Sequence, residues 1–400
     1  MIANGAPTKS IDGKMPVAVL LSGREKFSPY FGGALARWTY EVYRHLQDKI
    51  DIKVYGFPTA PEETYPLAHE TTQAWRLCWL AGRAPYVRRY EDWFWLRSLK
   101  LRLGHFDVVH IHNRPQWAPM LRKFGYRGTI IVHLQNDHLG HWTTPMLDTL
   151  SSNLDAVATC STYLKNTFAQ RSSRIAAKSH VISNGVDPEV FFPRENVRES
   201  KTIFFVGRLD PEKGIFQLMQ AYALVLKNHP EAKLVIGGAT GFGTNLPTPY
   251  HGQLQQLARS IQQNHGAQID FTGYLHHDRE LPLWFQKATI FACPSLFQEP
   301  FGLVNTEAMA CATPVVGSNR GGIPEVLNDT GVLVDPENIS EFANALSDLL
   351  TDTKRRQLLG EAGYRRAIEN YDWKLIAESW YQRIIQTVEQ RARTAVKQEF

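Results

Sequence analysis

Short apolar runs rich in Val and Ile recur along the chain, each followed by a stretch with helical spacing. In the first half they predict strands at Val17–Leu21, Ile52–Phe57, Asp107–Ile111, Thr129–Leu134, Ala156–Thr159 and His180–Ser183. In the second half they predict Thr202–Val206, Lys233–Ile236, Ile269–Phe271, Thr289–Ala292, Pro314–Gly317 and Val332–Val334. The runs are continuous rather than alternating, which suits strands covered on both faces. Helical patterns fall between them, as at Gly33–Leu46, Ile215–Asn228, Gln253–Asn264 and Phe342–Leu350. Such alternation implies parallel sheets with right-handed crossovers. So many strands exceed one ordinary sheet, so two sheets of about six are expected. The break is expected near Pro188–Ser200, which carries two prolines and a charge cluster. This divides the chain into residues 1–188 and 200–373, with a final helix at about 374–400 returning to brace the first part. Two doubly wound, Rossmann-like α/β domains of this kind are expected to face each other across a cleft. Ligands of open α/β sheets bind outside the carboxyl ends of the strands, so the chemistry is sought in the loops that follow strands.

Composition narrows the class. The 400 residues are 43% hydrophobic and 21% charged, which suits a soluble globular protein and excludes disorder, collagen and coiled coil. The four cysteines show no metal-ligand spacing and make no disulfide framework, so a reducing, cytoplasmic compartment is expected. The start, Met1–Lys14, lacks an apolar signal core. No run of about 18 apolar residues exists to cross a bilayer. The net charge of +5 is too small to imply nucleic acid unless it is concentrated. It is concentrated at Gln73–Leu103, where seven Lys or Arg face Glu91 and Asp92 and four of the ten tryptophans lie. That segment suits an anionic membrane surface. It equally suits amphipathic helices packing their tryptophans into the core. Nucleic acid would need a stacking groove and a known motif, and none is present.

Five strand-end loops carry candidate chemistry. The richest is Ser295–Glu325. Pro300 and Gly302 stop a helix there, and one can start at about Leu303. The free N–H groups of Gly302, Leu303 and Val304 then suit a phosphate. Glu299 lies just before this helix and Glu307 one turn inside it. Both can face the cleft, or Glu307 can be a solvated helix residue and Glu299 part of a turn. In Gly207–Gly214, Arg208 and Lys213 flank a turn at Asp210-Pro211, and two cations at a strand end suit a diphosphate. Otherwise this is a solvated loop. Gly32 and Gly33 open the first helix and allow close approach of a ligand. His133 ends a strand, where as a catalytic candidate it can bond a sugar hydroxyl or steady a transition state, or else serve the core. Asn184–Asp187 closes the first domain with an Asn-Gly turn. Neither a GxGxxG fingerprint nor a Walker loop occurs, and no D-x-D offers metal ligands.

Together these loops resemble the retaining glycosyltransferases of family GT4, which have the GT-B fold. Glu299 through Glu307 fits the family's E-x7-E element, and Gly321, Gly322 and Glu325 fit the GG-x-x-E after it. Gly207, Arg208 and Lys213 match its G-R-x4-K loop. The resemblance implies transfer of a sugar from a nucleoside-diphosphate sugar, UDP before GDP, to a glycan or lipid-linked acceptor without a metal or other cofactor. It implies that Glu307 binds the ribose and that Glu299 meets the donor sugar or leaving diphosphate. Arg208 and Lys213 would bind the diphosphate, and Tyr274 and Leu275 would lie near the base. Phe301, Gly302, Leu303 and Val304 join the donor site. The family's members imply polysaccharide, lipopolysaccharide or glycolipid synthesis at the inner membrane face by a monomer or weak dimer. Ala312 stands where the family commonly has Gly, a change the fold is expected to absorb. A sugar-nucleotide epimerase or phosphorylase of the same shape is an alternative, and so is a non-catalytic sugar-binding or coat protein.

Overall fold

The computed structural model describes residues 13–21, 25–30, 33–57, 59–70, 90–239 and 248–398. Gly32 and residues 73–89 of the basic aromatic segment lie outside them. The chain forms two compact units. The first comprises Met1–Ser183 with Lys374–Phe400, and the second Asn184–Trp373.

The first unit holds a parallel sheet of β1 (Met15–Leu20), β2 (Ile50–Tyr55), β3 (His69–Glu70), β4 (Val108–His112), β5 (Thr129–Leu134), β6 (Ala156–Thr159) and β7 (Ser179–Val181). Their spatial order is β3-β2-β1-β4-β5-β6-β7. The second sheet comprises β8 (Thr202–Val206), β9 (Lys233–Gly237), β10 (Gln268–Gly273), β11 (Ile290–Cys293), β12 (Val315–Ser318) and β13 (Val332–Val334), in the order β10-β9-β8-β11-β12-β13. Every pairing is parallel. The expected strands are all present within a residue or two. The two-residue β3 is additional, and His69-Glu70 has no apolar run to announce it. In each sheet the winding reverses at the first strand. The loops after β8 and β11 therefore diverge at a switch point.

The covering of the strands explains their composition. In β4, β5 and β6 every residue is buried. The final helix, Trp373–Gln398, belongs from Lys374 onward to the first unit. Trp380 is fully buried and its Nε1 donates to the Tyr43 hydroxyl at 3.0 Å. Arg391 donates to Asp155 at 2.7 Å, and Arg122 holds the other oxygen of the same carboxylate at 2.7 Å.

The segment expected to be a link is no link. Phe191 is buried against Phe285. The Arg198 guanidinium donates to the Ala288 and Ala312 carbonyls at 2.6 and 3.0 Å. The Glu199 amide donates to the Lys287 carbonyl at 2.7 Å. Residues 188–200 are thus sewn onto the second unit, because their aromatic and guanidinium groups find partners there. Asn184–Asp187 belongs with it too: the Val186 amide donates to the Tyr371 carbonyl at 2.7 Å. The chain crosses between units at 183–184 and 373–374.

Trp380→Ala tests the bracing role. Removing a buried tryptophan typically costs about 3–5 kcal/mol. The first unit should lose roughly that much stability in urea denaturation followed by circular dichroism.

Candidate functional site

At the switch point of the second sheet, two loops meet backbone to backbone. Gly214 is left-handed, with φ +71°, and starts the helix Ile215–Val225. A Cβ there would lie 1.9 Å from the Pro294 carbonyl oxygen, so only glycine lets the loop after β8 press against the loop after β11. The Leu296 amide donates to the Glu212 carbonyl at 2.8 Å, which fastens the contact. Gly321 and Gly322 do the same on the other side. A Cβ on Gly321 would come within 2.2 Å of the Glu299 carbonyl, and one on Gly322 within 2.3 Å of that of Pro300. The Gly322 amide donates to the Glu299 carbonyl at 2.7 Å. The paired glycines therefore hold the Glu299–Phe301 loop in place.

This framework brings Lys213 and Glu299 together. Lys213 Nζ donates to Glu299 Oε2 at 2.7 Å, and Ser295 Oγ donates to the same oxygen at 3.2 Å. Arg208 behaves otherwise. It is held by Asp210 and Glu212 of its own loop at 2.5 and 2.6 Å, and its side chain is 43% exposed. The two expected cations thus have separate carboxylate partners. Carboxylates two and four residues along the same turn are the counter-charges that Arg208 meets.

Gly302 is left-handed, with φ +85°, and caps the helix Leu303–Ala310. The first amides of that helix, including those of Leu303 and Val304, have no partner within the helix. Phe301 is corrected: its side chain is buried and packs edge-on against Tyr371, at 5.6 Å between ring centroids. Its backbone stays in the loop while its ring belongs to the core.

Glu307 is 5% exposed, which excludes a solvated helix residue. Its Oε1 meets His277 Nε2 at 2.7 Å, and His277 Nδ1 meets Asp278 Oδ1 at 2.6 Å. Glu307 Oε2 is buried without a hydrogen-bond partner. His277 follows β10 and escaped the sequence reading. The signal was there: two histidines and an aspartate just beyond a strand end. Tyr274 is exposed at the same end, and Leu275 rests over Gly237.

In the first unit the expectations change more. The Gly33 amide donates to Glu25 at 2.6 Å, and the Ala36 amide to the same oxygen at 3.3 Å. The chain thus supplies its own anion to the first helix, where a ligand was expected. Burial raises the Glu25 pKa, and these two bonds oppose the rise. His133 is corrected as a sugar-contacting residue. It is wholly buried between Trp38, with centroids 4.3 Å apart, and Trp380 at 5.7 Å.

His133 joins His110 and His112, and one nitrogen of each lies within 4.8 Å of the others. Burial lowers all three pKa values, that of His112 to about 3, so the rings are neutral at pH 7. The hydrogens decide whether this trio can hold a metal. Thr39 gives its hydroxyl hydrogen to the Leu35 carbonyl, so it accepts from His112 Nε2. Tyr43 accepts from Trp380 and gives its hydrogen to His110 Nδ1. The Gln135 amide donates to His133 Nε2. Neutral His110 and His133 then carry hydrogen on their other nitrogens. With these tautomers one free lone pair remains, on His112, and the second nitrogen of each ring is buried without a hydrogen-bond partner.

With this geometry established, kinship becomes decisive. The family "Glycosyltransferase Family 4" matches residues 31–190, and "Glycosyl transferases group 1" matches residues 187–366. The chain belongs to the group 1, family 4 glycosyltransferases. Among relatives of this glycosyltransferase, the spore coat protein SA of Bacillus subtilis is 31% identical over 317 residues, covering 73% of this chain and 80% of that one. The D-inositol 3-phosphate glycosyltransferase of Kribbella flavida is 34% identical over 312 residues, covering 69% and 70%. Anabaena Alr3699/HepE, solved with UDP, superposes with a TM-score of 0.74 over 93% of this chain and 100% of its own, at 19% identity. The sucrose-phosphate synthase of Thermosynechococcus elongatus superposes with a TM-score of 0.75 over 93% and 99%, at 21% identity. Both likenesses establish the GT-B fold.

Ala312 now has an explanation. It is left-handed, with φ +53°, a region that costs an L-residue roughly 1–2 kcal/mol. Glycine would relieve this but would lose more chain entropy on folding. Ala312→Gly is therefore expected to raise stability by about 0.5–1 kcal/mol, read as a higher melting temperature with unchanged activity.

Proposed function

We propose that the protein is a retaining glycosyltransferase that moves a sugar from a nucleoside-diphosphate sugar to a glycan or lipid-linked acceptor without a metal. The observation that carries this reading is Lys213 held on Glu299 beside the start of the helix Leu303–Ala310. Breaking a glycosyl phosphate bond builds negative charge on the departing diphosphate, and stabilising that charge is the main task. Lys213 has three ammonium hydrogens and gives one to Glu299, so the others remain for phosphate oxygens. The amides of Leu303 and Val304 add two more donors. Arg208 would turn from Asp210 and Glu212 to join them. Glu307 would accept from the ribose hydroxyls, and Tyr274 and Leu275 would lie near the base. UDP is favoured as the nucleotide, since UDP accompanies the Anabaena structure. A non-catalytic coat role, suggested by the name of the Bacillus subtilis relative, would not require Lys213, Glu299 and Glu307 together.

The basic aromatic segment supports a membrane-facing acceptor. On the helix Glu91–Leu103, Trp95, Leu96, Leu99 and Leu103 are buried. Phe94 and Leu101 are exposed beside Arg97, Lys100 and Arg102. Tyr90, just before the helix, is exposed as well. The helix thus serves the core with one face and offers apolar and basic groups with the other. Among the described residues no helix is long and apolar enough to cross a membrane, so contact would be peripheral.

Two measurements test these readings. Lys213→Ala is expected to lower kcat about 10²–10³-fold with the melting temperature little changed. Wild-type activity in that variant would remove the diphosphate assignment, and an inverted anomer in the NMR spectrum of the product would remove retention. In liposome flotation, the chain should rise with vesicles containing anionic lipid and be released by salt. Equal behaviour with neutral vesicles would refute the membrane surface.

A further inference from the structure

We propose that His277 is a positioning residue for the nucleotide: it holds one oxygen of Glu307 so that the other is presented to the ribose. This rests on the reading that Glu307 meets the ribose.

The argument starts from hydrogen counting. An ionised carboxylate only accepts hydrogen bonds. His277 meets a carboxylate oxygen with each ring nitrogen, Asp278 at 2.6 Å and Glu307 at 2.7 Å. Satisfying both puts a hydrogen on each nitrogen and a positive charge on the ring, which sits between two negative groups. Glu307 is nearly buried, and its Oε1 accepts from His277 Nε2.

Position follows from the same contact. Glu307 comes from the helix after β11 and His277 from the loop after β10. These strands are separated by β9 and β8 in the sheet, so strand pairing does not set their spacing. The side-chain bond joins them directly. The Phe191 ring packs edge-on against His277 at 5.1 Å and limits its swing. With Oε1 committed, Oε2 is the remaining acceptor, and it is buried without a partner. A vicinal diol is a chemical match for a single carboxylate oxygen with two lone pairs. Glu307→Gln would keep the shape and lose this charge. His277→Ala would keep the carboxylate and lose its orientation.

Isothermal titration calorimetry with UDP and 2′,3′-dideoxy-UDP tests the proposal on wild type, His277→Ala, His277→Gln and Glu307→Gln; a guanosine pair serves if GDP binds more tightly. A hydrogen bond to a charged group corresponds to roughly a tenfold change in affinity or more. His277→Ala is expected to weaken UDP by about that factor and to bring UDP and the dideoxy nucleotide to nearly equal affinity. In steady state KM should rise with kcat little changed, since the ribose lies away from the reacting atoms. His277→Gln, which can still donate to Glu307, should recover most of the preference, and it keeps the test open if the alanine variant does not fold. If Glu307→Gln abolishes the preference for UDP while both His277 variants retain it, the inference is overturned. If Glu307→Gln retains it as well, the ribose reading itself fails.

Discussion

The candidate site depends on a steric condition: two backbones must touch at the switch point of the second sheet. Gly214 against Pro294, and Gly321 and Gly322 against Glu299 and Pro300, leave no room for a side-chain carbon. Any Cβ there would push the loops apart. Lys213 would then be carried away from Glu299, since it precedes Gly214 directly. The glycines have no chemistry of their own. They set the distance at which the chemistry of their neighbours operates.

Within that frame, charge is stored as pairs between separate segments. Lys213 with Glu299 and His277 with Glu307 each tie two strand-end elements together. Each leaves capacity for a ligand: spare ammonium hydrogens in one case, an unpartnered oxygen in the other. Arg208, paired inside its own turn and more exposed, ties nothing together. The first unit takes the opposite course. Its helix amides are held by Glu25, and its three histidines are closed in by Trp38 and Trp380. Polar groups there serve internal order.

Much of the fold was legible because β strands covered on both faces must be continuously apolar. Thr129–Leu134 and Ala156–Thr159 announce themselves for that reason, and their limits agree with the structure. His69-Glu70 could not be read, since an edge strand of two residues needs no apolar content. Residues 188–200 misled because prolines and charges resemble a linker. Arg198 and Phe191 show why composition fails there: a guanidinium can satisfy carbonyls and a phenyl ring can fill a core far along the chain. His133 misled for a related reason. A strand end can point a side chain outward or bury it, and the sheet face decides.

The amino-acid order alone settled the two-sheet architecture and the family membership. The first follows from apolar runs of strand length, and the second from motifs that resemble the family's and from the family matches over residues 31–190 and 187–366. It could not settle which charged group meets which. Lys213 and Glu299 are 86 residues apart in sequence, and His277 and Glu307 are 30 apart. Their meeting depends on strand order and on how closely backbones approach. These are properties of the packed sheet, where desolvation makes each buried charge seek the nearest complement.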